Sequence, residues 1–378
     1  MSARKTHIWR EEPKISSDGS VTLDTIIESP LLGNSKLWFK IPGEFSLLVT
    51  TSCDPLLVAN LFLLMQEGAD CIVHGQVSPS LLKNITEFQA AWACWRPGKY
   101  RQVEIIADEE AEGAEAQEPE LAICAFTGGA DSCYTMFSHK TGTCSKRWRR
   151  NIEAGLMVHG YDIPLEQEAA FERAASVARK TLSSLDVKLI TMSTNLLALN
   201  PEWEDTHIAG IASCLMLFQH RYGEGLIASG PDYGALAIPW GSSPITDHLL
   251  SSNAFKIVHD AAGVTRIQKF KAIAKWHEGF SNLRVCFSAK DRDQNCGVCT
   301  KCAFAIMALQ NHGLSVPTSF PQPLDATLIN LDVTSAQDVE GYKKLIVSAR
   351  KANLTEQWVN VLSQRIDDRE KSPLSRIS

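Results

Sequence analysis

The sequence of 378 residues has no run of 18 or more consecutive apolar residues, which excludes a membrane-spanning helix by the length rule. Met1–Lys14 is charged and lacks an apolar stretch, so no secretory signal is expected. A dominant charge is also missing. The net charge is −6, and seven acids with no base among them fall between Asp108 and Glu120; without these the rest is near +1. No global field argues for nucleic acid or a membrane surface as a partner. There is no internal repeat. The eleven cysteines are an odd number, and four of them crowd between Cys286 and Cys302. A cytoplasmic chain with a metal site explains that better than a secreted disulfide scaffold. What is present is ordinary for a globular chain: 44% hydrophobic and 21% charged residues, enough for two or three domains.

Residues 1–36 are polar, with scattered Ser, Gly and Pro, and read as a loosely held arm or an edge element. Strands are predicted at Leu37–Ile41, Phe45–Val49, Asp70–His74 and Gln102–Ala107, and helices at Pro55–Met65 and Pro79–Trp95. Residues 37–107 therefore form a small α/β domain, and the acidic residues 108–120 read as a solvated linker. From Leu121 apolar strands alternate with helices: strands at Ala122–Phe126, Gly155–His159, Lys188–Met192, Gly225–Ser229 and Lys256–His259, with helices at Leu165–Ser183, His207–Tyr222 and Val264–Trp276. That alternation predicts a parallel sheet covered on both faces. A helix at Lys301–His312 closes this domain, residues 121–313. Residues 314–378 supply two more helices, Ser335–Lys351 and Thr355–Asp368, and a basic tail.

The sharpest element is Phe126-Thr127-Gly128-Gly129-Ala130-Asp131-Ser132, between a strand and a helix. Its glycines let backbone N–H groups approach an anion, and the helix brings its positive end to the same place. Thr127 and Ser132 add hydroxyl donors. Asp131 is unusual in a phosphate cradle unless it holds a metal ion or orients the loop. The Lys-Ser/Thr pair of a Walker loop is missing.

Cys286, Cys296, Cys299 and Cys302 have the spacing C-x9-C-x2-C-x2-C. Two short Cys-x-x-Cys steps bring three thiolates to a point, and Gly297 permits the tight turn. A structural zinc follows, with an iron–sulfur cluster as the second choice; four thiolates leave no open position for zinc catalysis.

The loop resembles the Ser-Gly-Gly-x-Asp-Ser signature of the PP-loop ATP pyrophosphatases, with Thr127 in place of the first Ser. Together with the four-cysteine knot about 155 residues later, it resembles the 7-cyano-7-deazaguanine synthase family over roughly residues 121–313. Further blocks, His159–Pro164, Pro239–Pro244, Val258–Asp260 and Thr265-Arg266, look like a bacterial subgroup with an N-terminal α/β extension. Some relatives of that subgroup belong to antiphage-defence operons and others to natural-product clusters.

The resemblance implies an adenine nucleotide alpha hydrolase-like fold and an AMP-forming carbon–nitrogen ligase. It would use ATP and Mg²⁺ to adenylate a carboxylate on a deazapurine-like heterocycle, for attack by ammonia or an amine. The alternative is sulfur transfer to a carbonyl after the same activation. The implied partners are the small heterocycle, a protein from the same operon and a second copy of the chain, with no membrane and no favoured nucleic acid.

Ligands of open parallel sheets bind at the carboxyl ends of the strands. That gathers the 127–132 loop, His159–Asp162, Met192–Asn195, Ser229–Tyr233 and His259–Asp260 around one crevice. Met157–His159 resembles the adenine-lining strand of the family, and Asp162 is either a ribose or metal ligand or a turn cap. Lys269 resembles the lysine that steadies departing pyrophosphate, with Arg266 as the alternate clamp; the plain reading of Lys269 is a solvated helix residue. His207 is a candidate base at a helix start capped by Asp205 and Thr206, or a half-buried histidine. Trp240 is either a stacking platform or a core anchor. Cys133, at a helix start, is placed where a thiol pKa can fall, although lone cysteines such as Cys124, Cys133 and Cys144 are mostly buried hydrophobes. The basic stretch Lys140–Arg150 reads as a solvated loop.

Overall fold

The computed structural model describes residues 5–30, 33–200, 202–321, 336–353 and 357–371. The basic tail beyond Lys371 lies outside the described residues. The amino-terminal half runs β1 (Thr6–Arg10), β2 (Lys14–Ile15), β3 (Val21–Ser29), β4 (Gly33–Ile41), α1 (Asp54–Glu67), β5 (Cys71–Val77), α2 (Pro79–Trp95) and β6 (Ile105–Glu110). The carboxyl half runs β7 (Glu118–Ala125), α3 (Ala130–Thr141), β8 (Asn151–His159), α4 (Glu168–Ser183), β9 (Lys188–Thr194), α5 (Leu196–Leu199), α6 (Trp203–Met216), β10 (Tyr222–Ala228) and β11 (Lys256–Asp260). It closes with α7 (Arg266–Ile273), α8 (His277–Ser281), α9 (Thr300–Gln310), α10 (Ala336–Lys351) and α11 (Gln357–Lys371).

Among the described residues, eleven strands form one sheet, in the order β11-β10-β7-β8-β9-β4-β3-β1-β5-β6, with β2 on β3. The first five in that order are parallel throughout. Within them the chain starts at β7, moves outward through β8 and β9, then returns to build β10 and β11 on the other side. The order therefore reverses between β7 and β10, and in open α/β sheets the ligand crevice lies at such a reversal. Helices cover both faces. One core joins α1, α2 and α6 to the sheet, and the other joins α3, α4, α7, α9 and the two last helices to the opposite face.

Residues 6–29 are not a loose arm. β3 lies inside the sheet, paired antiparallel to β1 and β4, with Val21, Leu23, Thr25 and Ile27 inward. Polar residues at the alternating positions Thr22, Asp24 and Glu28 face the other side, which is why composition hid a half-buried strand. The amino-terminal unit accordingly begins near Thr6, not at Leu37. Its sheet is continuous with the parallel one through β4 on β9, which pair Phe39 with Thr194 and Lys40 with Ser193. Side chains reinforce this short joint. The amide of Asn195 accepts from Trp38 N at 2.9 Å and donates to Lys36 O at 2.8 Å, and Thr194 Oγ1 donates to Trp38 O at 2.8 Å.

The strand expected at Phe45–Val49 is a 3-10 turn, Gly43–Leu48. Both edges of β4 are already taken by β3 and β9, so a further strand has no partner there. The acidic linker is shorter than its charge run and is fastened. Asp108–Glu110 belong to β6 and Glu118–Glu120 to β7, while Glu112 accepts from Ser80 N at 3.0 Å and Ser80 Oγ at 2.8 Å. α1 is apolar on every side because it is sandwiched between the sheet and α6, and it stops at Gly68, whose φ is 72°. The long helix expected over Val264–Trp276 breaks at Ala274. α7 opens with a capping box between Thr265 and Gln268, in which each side chain accepts from the other's backbone N–H.

Candidate functional site

β7 delivers the chain to the reversal point. Phe126 is buried and donates its N–H to Leu156 O, Gly128 takes a φ of 75°, and Gly129 is the N-cap of α3. The loop closes on itself: Thr127 N donates to Ser132 Oγ, Gly129 N to Thr127 Oγ1, and Ser132 Oγ to Gly129 O, at 3.2–3.3 Å. The first turn of α3 thus faces the same place as two hydroxyls and the glycine amides.

Asp131 is the hub. Lys269 Nζ donates to its Oδ1 and Arg266 to its Oδ2, each at 2.9 Å, so α7 is pinned to the start of α3 by two cations on one carboxylate. Lys269 is not a solvated helix residue. Its side chain is 0% exposed, and its second acceptor is Ser229 O at the end of β10. Arg266 keeps 37% of its side chain exposed. Of the two cations expected at the phosphates, Arg266 is the one on the surface and Lys269 the one behind.

A third cation, Arg284, was not singled out by the sequence. Its Nε and NH2 donate to Thr127 O at 3.2 and 2.9 Å, its backbone N–H donates to Gly128 O, and its guanidinium lies 3.4 Å from Asp162. One residue therefore ties the Thr127–Ser132 loop to the turn after β8. Its position two residues before Cys286 links that latch to the cysteine knot.

The other expected residues are placed unevenly. Met157 and His159 sit at the carboxyl end of β8, but both side chains are turned into the α4 face. His159 stacks on Phe171 with centroids 4.5 Å apart and meets Pro164 O through Nε2 at 2.9 Å. His207 is in the second turn of α6, not at its start. Asp205 does not cap that helix; its carboxylate is taken by Lys99, Tyr100 and Arg96. His207 Nδ1 is held by Trp203 O at 2.9 Å, and burial lowers its pKa. A Cβ on Gly241 would lie 2.3 Å from that nitrogen, so the 239–244 loop is pressed onto His207, with Trp240 edge-on to its ring.

Burial pushes the thiols of Cys124, Cys133 and Cys144 up, so Cys133 gains no thiolate character from its helix start. The basic stretch is anchored. Arg150 pairs with Glu224 at 2.6 Å, Arg149 donates to His139 O and Lys140 O, and Trp148 Nε1 reaches Asp260 at 2.7 Å.

The four-cysteine knot closes. The sulfurs of Cys286, Cys296, Cys299 and Cys302 all lie within 4.8 Å of one another, with Cys286–Cys299 at 3.7 Å and Cys296–Cys302 at 4.0 Å. A tetrahedral ion with Zn–S bonds of about 2.3 Å separates its sulfurs by about 3.8 Å, so the cage can hold a metal such as zinc. In an iron–sulfur cube each cysteine sits on its own iron, which sets the sulfurs wider apart. Backbone N–H groups of Ser288, Ala289 and Cys299 already point at Cys286 and Cys296 sulfurs at 3.2–3.3 Å, the arrangement that supports thiolate charge. Hydrogen bonds from Cys299 and Cys302 hold the Cys286 thiol well below its usual range, while Cys299 is pushed up to about 11 by sharing that proton. Asn295 braces the knot, accepting from Val285 and Cys286 N–H and donating to Leu283 and Ser319 carbonyls.

Among the described residues no helix is long and apolar enough to cross a membrane. No family model matches the chain, and neither a curated protein nor a solved structure does.

Proposed function

We propose that the chain is an ATP-dependent ligase of the PP-loop kind. It would adenylate a carboxylate on a deazapurine-like heterocycle with release of pyrophosphate, and join a nitrogen nucleophile, ammonia or an amine, to the activated carbon. The observation that carries this reading is the position of the Thr127–Ser132 loop at the strand-order reversal, backed by α3 and by two cations on Asp131. The four-cysteine knot, joined to that loop through Arg284, is the second feature in the same combination. The resemblance adds a setting in antiviral defence and a protein partner from the same operon.

In this reading the Gly128 amide binds the β and γ phosphates, and the Gly129 amide and the hydroxyls of Thr127 and Ser132 exchange their bonds within the loop for phosphate oxygens. Arg266, on the surface, clamps the pyrophosphate as negative charge builds on it. Lys269 is a positioning residue that holds Asp131 and the end of β10. Asp131 accepts two hydrogen bonds and retains lone pairs with which it would hold Mg²⁺, whose charge screens the phosphates. The zinc cage has four protein ligands, so its role is to hold Arg284 and α9 in place. Sulfur transfer has no comparable support, because Cys124 and Cys133 are enclosed thiols and the knot suits a single ion.

The products of ATP cleavage test the reading. Labelled ATP, Mg²⁺ and a 7-deazapurine carboxylic acid with ammonium should give AMP and pyrophosphate on thin-layer chromatography. Accumulation of ADP refutes it.

A further inference from the structure

A second pair of titratable groups, His259 and Asp247, lies across β10 from the strand that leads into the phosphate loop, and the proposed function gives the pair no role. His259 is at the carboxyl end of β11. Its Nδ1 meets Asp247 Oδ2 at 2.7 Å, and both side chains are nearly enclosed, 5% and 0% exposed. Asp247 is itself fixed by Ser242 Oγ at 2.7 Å and by Ser243 N at 2.7 Å. With Asp247 already accepting from Ser242 Oγ and Ser243 N, its Oδ2 is placed to accept a proton carried on Nδ1, the tautomer that leaves the lone pair on Nε2. That Nε2 is buried and has no hydrogen-bond partner among the described residues. Leaving such an atom unmet is unfavourable, and a nearby hydroxyl would have avoided it.

The placement suits chemistry. Ser229 N donates to Asp260 O at 2.8 Å, and Ser229 O accepts from Lys269 Nζ, which pairs with Asp131. One backbone hydrogen bond and the Lys269 side chain therefore connect the imidazole's strand to the loop that carries Asp131. β11 alternates, so Asp260 faces α3, where Thr135 and His139 hold it, while His259 takes the opposite face beside Asp247. The segment between β10 and β11 also exposes Tyr233, Ile238 and Ile245.

From this geometry we infer that His259 is the general base of the second half-reaction, oriented by Asp247 and Ser242; the inference rests on the ligase reading. The nitrogen's lone pair attacks the carbonyl carbon of the acyl adenylate and the C–N bond forms. The C–O bond to the AMP phosphate breaks, with its electron pair leaving on AMP, and the proton lost by nitrogen passes to Nε2 and then to solvent. Asp–His pairs of this arrangement act in this way as bases.

The test separates the two half-reactions in the full-length protein. His259→Asn places an amide nitrogen where Nδ1 was, keeping the bond to Asp247 while deleting Nε2. Exchange of labelled pyrophosphate into ATP, with a 7-deazapurine carboxylic acid and no amine, should stay within about twofold of the parent. Product formation with ammonium should fall about 10²-fold or more, the usual share of a general base. Hydroxylamine, which needs little deprotonation near neutral pH, should restore most of it. Unchanged turnover with ammonium overturns the role, and so does an equal loss with both nucleophiles while exchange survives. His259→Gln is the second variant should the first melt early, judged by the same three rates. A parent protein without exchange overturns the ligase reading itself and the base with it.

Discussion

Removing Asp131 should destabilise the protein even though it lies at a loop. The carboxylate opens no cavity of consequence when lost, and judged from the loop alone Asp131→Ala leaves the fold intact. The structure reverses that expectation, because Lys269 is fully enclosed and would keep an ammonium with Ser229 O as its remaining partner. Breaking a buried pair from one side costs about 3–5 kcal/mol. Asp131 is a quarter exposed, so water can partly replace it, and the lower end, about 3 kcal/mol, is expected. Lys269→Met removes the charge and keeps the volume. Asp131 then retains Arg266 and its exposed side, so about 1 kcal/mol is lost. The double variant has no stranded charge and should resemble Lys269→Met alone, giving a coupling of about 3 kcal/mol. Urea unfolding midpoints, with equal slopes checked, measure all four species. Effects of the two substitutions that add within about 0.5 kcal/mol would show that the pair does not hold α7 to α3, and the reasoning fails.

Two other outcomes follow from the knot and from Asp260. Purified protein should carry about one zinc per chain by elemental analysis, and Cys296→Ser should lose it and melt at least about 5 °C lower; iron with acid-labile sulfide, or a variant with the parent's melting temperature, contradicts this. Burial alone would raise the Asp260 carboxyl, but hydrogen bonds from His139, Thr135 and Trp148 outweigh it and hold the group below its ordinary value of 3.8. A depressed folded-state pKa gives stability that is complete above about pH 4 and lost as pH falls through the folded value. The gap in urea midpoint between parent and Asp260→Asn should therefore be constant from pH 7 to 5 and shrink toward pH 3, and a gap independent of pH in that range refutes the assignment.

The glycine loop between strand and helix and the cysteine knot were legible because each is local. Gly128 and Gly129 sit between a strand and a helix, and the four cysteines span 17 residues. α2 runs Pro79–Trp95 as the pattern indicates, because its start is marked by Pro79 and its inward face by Leu81, Ile85, Phe88 and Trp92. The strands β1 and β3 were missed because polar residues alternate with apolar ones, and a mean over the segment erases a period of two. Arg284 and the His259–Asp247 pair escaped for a different reason. Arg284 meets Thr127 across 157 positions, and His259 meets Asp247 only because the chain folds back between β10 and β11. No local pattern marks such a contact; the topology creates it.

The continuous sheet also gives the amino-terminal half a physical part in the site. Five parallel strands alone would leave β9 as an edge with unpaired backbone groups, which proteins cover or blunt. β4 covers it, with two paired residues and the side chains of Thr194 and Asn195. From that joint, contacts run inward without a gap. Thr194 Oγ1 donates to Trp38 O, and Thr194 O lies where a Cβ on Gly160 would come within 2.1 Å, so only a glycine, at a φ of 105°, lets the ends of β8 and β9 approach. Two residues on, Asp162 meets Arg284, and Arg284 holds Thr127 O. On the other face α1 packs against α6, the helix that carries His207 beneath the 239–244 loop. The amino-terminal half thus braces both sides of the reversal point, the Thr127–Ser132 loop through β9 and Arg284 and the 239–244 loop through α1 and α6. An extension tethered only by a linker would leave both sides to the carboxyl half.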